Sequence, residues 1–214
     1  TYHSSNYEHA KWGPMSRFLL KISEKIALTF SNKIIFVNKL LMNKQSAKVR
    51  RKSIYIPNGV SRYKKTLDNH YLSTWGLEDK QYILSVGRIT PEKGFDDLIN
   101  AFIKLNNPDY TLVIAGGVES EDLYYNKLKK LAENEKIIFT GYADEPMLNE
   151  LYSNARLFVL ASHNEGFPLV VLEAMQFQCD ILVSNLPVMF SLPLNTESYF
   201  EKGNIEDLSD KLDK

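Results

Sequence analysis

A doubly wound parallel α/β fold, preceded by the tail of another domain, is what this sequence predicts. Three observations carry that expectation. Apolar runs of four or five residues alternate regularly with helical segments from Tyr82 onward. Those runs are continuous rather than alternating, as burial on both faces of a parallel sheet requires. Before them, strand, helix and strand candidates follow one another with no sheet of their own to join, as at the end of a domain.

The elements follow in chain order. Met15, Phe18, Leu19, Ile22, Ile26 and Phe30 recur near helical steps with Arg17, Lys21 and Lys25 between them, which predicts an amphipathic helix. Ile34 to Val37 is a short strand, a Lys-rich helix runs to about Lys48, and Ser53 to Ile56 is a second strand closed by the turn residues Pro57-Asn58-Gly59. Strands are then expected at Tyr82 to Val86, Thr111 to Ala115, Lys136 to Thr140, Leu157 to Leu160 and Asp180 to Val183. Helices are expected near Gly94 to Leu105, Ser120 to Ala132, Met147 to Ser153 and Pro168 to Gln178. This divides the chain into residues 1–57, a remnant of a first domain with its linker, and residues 58–214, a ligand-binding α/β domain cut short at its end.

Composition narrows the class. Apolar residues are 44% and charged residues 24% of 214, ordinary for a chain that buries a core. Cys179 is the single cysteine, so no internal disulfide forms, and no Cys/His cluster has zinc spacing. The apolar runs fall far short of the ~20 residues a membrane span needs, and no signal-peptide pattern opens the sequence, so a cytoplasmic setting is expected. The net charge of zero hides an asymmetry: residues 1–65 hold 14 Lys+Arg against two Asp+Glu, and the remaining 149 hold 12 against 24. The basic part could face anionic lipid or a phosphate-bearing acceptor; a complementary domain surface explains it equally well. No nucleic-acid partner is expected.

Three loops beyond strand ends carry residue types suited to an anionic ligand. The first is Gly87-Arg88-Ile89-Thr90-Pro91-Glu92-Lys93-Gly94, whose Arg and Lys can neutralise a diphosphate, though a solvated loop also explains them. The second is Ala115-Gly116-Gly117, where backbone can approach a ligand closely, or simply turn. The third, Glu165-Gly166-Phe167-Pro168-Leu169-Val170-Val171-Leu172-Glu173, is the most informative. Pro168 is expected to open a helix whose free N–H groups receive phosphate oxygens, Glu173 to accept from a ribose diol, and Glu165 to lie beside a phosphate-linked hexose. An apolar helix start with a lone Glu is also common as plain structure. Asp96-Asp97, in the first turn of a helix, fit the dipole better than a metal, and no metal ligand set is expected.

Glu165 and Glu173, with seven residues between them, match the Glu-x7-Glu motif, and with Ser85-Val86-Gly87-Arg88, Glu92-Lys93-Gly94, Leu112 to Gly117 and Pro57-Asn58-Gly59-Val60 the chain resembles the retaining family 4 glycosyltransferases of the two-Rossmann-domain (GT-B) type. Thr1-Tyr2-His3, Ala10-Lys11-Trp12-Gly13 and Ser23-Glu24 resemble bacterial polysaccharide transferases, rhamnosyltransferases among them. The resemblance implies a Rossmann-like donor domain after part of an acceptor domain, and a hexosyltransferase moving sugar from a nucleotide-diphosphate donor to a polysaccharide or lipid-linked acceptor. It implies catalytic roles for Glu165, Arg88 and Lys93, donor contacts from Gly87, Arg88, Lys93, Gly117, Glu165, Gly166, Phe167, Pro168, Leu169 and Glu173, and no cofactor or metal. His3 matches a histidine facing the donor sugar in that family, or is a frayed terminus. Gln178-Cys179-Asp180 departs from the family's Gly-x-Pro turn, and the loop Leu186 to Pro193 lacks its Arg-Glu pair. The rival expectation is a nucleotide-sugar-binding or assembly module without turnover, joined through the surface the absent domain leaves. An NAD-dependent oxidoreductase fits the sheet but lacks Gly-x-Gly-x-x-Gly after the first strand.

Overall fold

A computed structural model describes residues 1–3, 13–61, 65–66, 68–118 and 123–213. The chain forms two compact units: Thr1–Gly59 with Asn164–Pro168, and Val60–His163 with Leu169–Lys214. Ala10, Lys11, Trp12, Arg62, Lys64 and Ser120 lie outside the described residues.

In the first unit α1 (Pro14–Phe30) starts with proline at its first position, where the missing N–H costs nothing, and ends at Ser31, whose N–H and hydroxyl both reach Ala27 O. β1 (Ile34–Phe36) and β2 (Ser53–Tyr55) pair in parallel, and Tyr2 forms a parallel bridge to Phe36. Leu28, Ile34 and Phe36 make a small core with Tyr2, Leu41, Met42 and Val49 against it. The Lys-rich stretch expected as one helix is two, α2 (Lys39–Asn43) and α3 (Ala47–Arg50). The break has a local cause: Asn38 caps α2 by accepting from Leu40 N and Leu41 N, and Ser46 restarts the helix by accepting from Val49 N.

The second unit holds α4 (His70–Thr74), β3 (Tyr82–Val86), a 3₁₀ turn at Pro91–Lys93, α5 (Phe95–Leu105), β4 (Thr111–Ala115), α6 (Leu123–Leu131) and β5 (Ile137–Gly141). It continues with α7 (Glu145–Asn154), β6 (Leu157–Leu160), α8 (Leu169–Gln176), β7 (Asp180–Ser184), β8 (Tyr199–Phe200) and α9 (Ile205–Leu212). The sheet has the order β5-β4-β3-β6-β7-β8, every pair parallel. This is the doubly wound Rossmann-like order, in which the chain reverses its direction of travel between β3 and β6. All five residues of β3 are buried, and Ile83, Leu98, Ile99, Leu112, Val159 and Leu208 join one core across strands and helices. Burial on both faces accounts for the continuous apolar runs.

Candidate functional site

In sheets of this order ligands gather beyond the carboxyl ends of the strands at the reversal point, here the ends of β3 and β6. The loop leaving β3 is fastened to the end of β4 through backbone: Gly87 N donates to Ala115 O at 3.0 Å and Ile89 N to Gly117 O at 3.1 Å. A methyl group on Gly116 would lie 1.8 Å from Gly87 O, so close backbone packing, rather than a turn, requires that glycine. Arg88 is exposed, and Lys93 is half-buried with its chain along Gly87, where an added methyl would sit 3.5 Å from Lys93 Cε. Gly117 faces Tyr142, which is 81% exposed at the end of β5. Gly87, Arg88, Lys93 and Gly117 are thus brought together around one strand end.

The far end of the loop is anchored just as firmly. Gly94 has φ +63°, a left-handed conformation, and a methyl group there would stand 2.1 Å from Ala161 O after β6. His163 N donates to Glu92 O at 2.8 Å, and its Nε2 lies 3.3 Å from Asp97 Oδ2. Burial pushes the Asp97 carboxyl above the usual range, although His163 opposes the shift. For Asp96 burial acts the same way, but hydrogen bonds from Lys127 Nζ and the Tyr124 hydroxyl, both 2.8 Å, outweigh it and hold the carboxyl below its ordinary value. The ligand atoms of Asp96, Asp97 and His163 lie within 4.8 Å of one another, and the Lys127 ammonium occupies the Asp96 side of that group. His163 and its contacts are absent from the sequence reading.

Glu165, Gly166, Phe167 and Pro168 belong to the first unit, where Asn38 Nδ2 donates to Gly166 O at 2.9 Å. Glu165 to Phe167 are half-buried, Pro168 is buried and Leu169 is exposed. Pro168 does not open the helix as expected: α8 begins at Leu169, leaving proline as the residue before it. Glu173, in the second unit, accepts from the buried Tyr152 hydroxyl at 3.0 Å, which fixes one of its two carboxylate oxygens. Tyr152 is a second contributor the sequence reading did not single out. His3 is exposed beside the Tyr2 bridge in the first unit.

The family model for glycosyl transferases group 1 matches residues 73–214. The capsular polysaccharide biosynthesis glycosyltransferase CapM of Staphylococcus aureus is 27% identical over 212 residues, covering 92% of this chain and 55% of CapM. Alpha-galactosylglucosyldiacylglycerol synthase of Streptococcus pneumoniae is 32% identical over 184 residues, 79% of this chain and 49% of the synthase. Among solved structures, Anabaena HepE in complex with UDP-glucose aligns with a TM-score of 0.83 at 16% identity, covering 99% of this chain and 60% of HepE. That likeness speaks to the fold. The chain spans about half the length of the curated relatives it matches.

Proposed function

The chain belongs to the group 1 glycosyl transferases, and from that premise we propose that its second unit binds a nucleotide-diphosphate sugar as donor for a retaining sugar transfer to a polysaccharide or lipid-linked acceptor. Residues 1–57 are read as the end of the acceptor domain, residues 58–214 as the donor domain. The observation that carries the reading is that Arg88 and Lys93 both lie within the backbone-locked loop 87–94 at the reversal point of the sheet. Two cations there meet the charge that builds on the diphosphate when the bond to the anomeric carbon breaks. The acceptor oxygen forms the new bond to that carbon, and its proton leaves toward the departing phosphate oxygens. Glu165 is assigned to the sugar, where a carboxylate favours developing positive charge, and Glu173 to the ribose through the oxygen that Tyr152 does not hold. Gly87, Gly117, Gly166, Phe167, Pro168 and Leu169 are assigned to the walls of the donor site.

The relatives' names favour polysaccharide or glycolipid chemistry, which is met at a membrane face. The basic first part of the chain suits peripheral contact with anionic lipid on the cytoplasmic side. A binding or assembly module without turnover is the second reading. Transfer to an added acceptor separates the two.

Calorimetry with UDP-, GDP- and dTDP-sugars tests the donor reading. Arg88→Ala should weaken the best donor by about 2 kcal/mol, roughly thirtyfold, because charge-assisted bonds to a diphosphate exceed neutral ones. Unchanged affinity in both Arg88→Ala and Lys93→Ala overturns it.

A further inference from the structure

His163 takes hold of the chain at two points, and Lys93 lies between them. Its backbone N–H donates to Glu92 O at 2.8 Å, just before Lys93, and its Nε2 lies 3.3 Å from Oδ2 of Asp97 in the first turn of α5. Both grips, and the residues they join, belong to the second unit. The imidazole also lies against backbone: a methyl group on Gly94 would stand 3.4 Å from its Nε2, and one on Gly203 4.0 Å from its Cε1.

The side-chain grip has a reason in electrostatics. Asp97 Oδ2 is fully buried and accepts no hydrogen bond among the described residues, so the nearby imidazole is what answers its charge. Burial works against ionisation of Asp97, and His163 works for it. Asp96 next to it also works against ionisation, and the Asp96 oxygens are already taken by Tyr124 and Lys127. The grip needs a proton on His163 Nε2, which the charged imidazole or one neutral tautomer supplies. Removing His163 alone leaves a buried carboxylate oxygen unanswered, a costlier change than removing both partners.

The turn between the grips has little of its own to fix it. Pro91–Lys93 is a single 3₁₀ turn with no side-chain cap from Thr90, closed by Lys93 N to Thr90 O at 3.0 Å and Gly94 N to Pro91 O at 3.2 Å. Bonds of this type are poorly aligned, so a turn this short takes its place from what it is fastened to. Here that is the exit of β6, a strand buried at Phe158, Val159 and Leu160 and paired with β3. We propose that His163 is a positioning residue: with Asp97 it clamps the turn from the side of β6 and so fixes where the Lys93 ammonium meets the donor diphosphate. This deepens the donor reading above and rests on it. An ammonium on a flexible four-carbon stem has no fork to orient it, so the backbone that carries it has to be held.

The test uses the 214-residue chain with whichever of UDP, GDP and dTDP it binds most tightly, and with the matching nucleoside for comparison. His163→Ala and Asp97→Ala should each weaken the diphosphate about tenfold and leave the nucleoside within about twofold. The double variant should bind no more weakly than either single one, because the two side chains act as a unit. His163→Gln, whose amide can present an N–H near the place of Nε2, should return to within about threefold of the wild type, a rescue that lost packing alone does not give. Without ligand, hydrogen exchange followed by mass spectrometry should be faster across residues 87–97 in both alanine variants and unchanged in His163→Gln. His163 is 38% exposed, so its alanine variant should fold; if Asp97→Ala does not, His163→Ala against His163→Gln decides alone. Unchanged diphosphate affinity in His163→Ala overturns the proposal. So do additive losses, or a nucleoside affinity that falls as far as that of the diphosphate. A wild-type chain that binds none of the three diphosphates counts against the donor reading; exchange then judges the clamp by itself, and unchanged exchange in His163→Ala overturns it.

Discussion

At the scale of single residues, the two glutamates of the Glu-x7-Glu segment face different surroundings, and their removal should be told apart by two ligands. Glu173 is held by Tyr152 and assigned to the ribose, a part shared by the free nucleotide diphosphate and its sugar conjugate. Glu173→Gln should therefore weaken both, and in a complete transferase raise the donor KM with little change in kcat. Glu165 is assigned to the sugar, so Glu165→Gln should weaken only the conjugate and, with the acceptor half present, lower turnover. Calorimetry of both variants against both ligands checks this; equal losses of free nucleotide affinity would show the roles to be misassigned. The spacing of the pair was legible in the sequence because it lies within one continuous segment. The hydrogen bond from Tyr152 was not, since it joins α7 to α8, and neither was the approach of His163 to Asp97, which joins the end of β6 to α5. Local sequence carries no record of which distant side chain will satisfy a buried hydroxyl.

Whole elements were more legible than their joints. The five strands read as continuous apolar runs are present because burial on both faces leaves a pattern that survives in sequence. β8, two residues long, is too short to show one, and α4, five residues long, has no room for a helical period. α9 does carry one in Ile205, Leu208 and Leu212. The end of α8 explains the departure at Gln178. Gln178 N donates to Met175 O and Cys179 N to Ala174 O, the paired bonds of a Schellman turn, with Gln178 at φ +57° in the place glycine usually fills. A side chain in that left-handed conformation costs about 1 kcal/mol. Gln178→Gly, at an exposed site, should raise the unfolding free energy by roughly that amount and Tm by about 2–4 °C. Urea titration checks the sign: a less stable glycine variant would mean that the extra freedom of the unfolded chain outweighs the relief.

For the molecule as a whole, binding and stability are one measurement. A ligand at 100 times its Kd adds about 2.7 kcal/mol, so the preferred nucleotide sugar should lift Tm by roughly 5 °C or more. The shift should be the same in EDTA, because on the proposed reading Arg88, Lys93 and the start of α8 offset phosphate charge, and Lys127 already pairs with Asp96 at 2.8 Å. A shift that collapses in EDTA and returns with magnesium or manganese would place a metal in the donor site. The division into a basic first part and an acidic remainder was visible in the charge count, whereas the membership of Asn164–Pro168 in the first unit was not, since it depends on contacts such as Asn38 with Gly166.

The backbone approaches at Gly94 and Gly116 also bear on how this site can change over generations. At 2.1 Å from Ala161 O and 1.8 Å from Gly87 O, neither position has room for a single methyl, and the obstructing atoms are carbonyls that cannot rotate aside. Selection for a new donor therefore has no freedom at these two codons. On the proposed donor reading it would act instead at positions such as Gly117 and Tyr142, since a methyl on Gly117 would meet only the Tyr142 side chain, 3.7 Å away. A library randomised at Gly94, Gly116, Gly117 and Tyr142 and selected for folded, donor-binding chains should recover glycine at 94 and 116 while the other two diversify with the sugar offered; alanine recovered freely at either glycine would show that these loops can part.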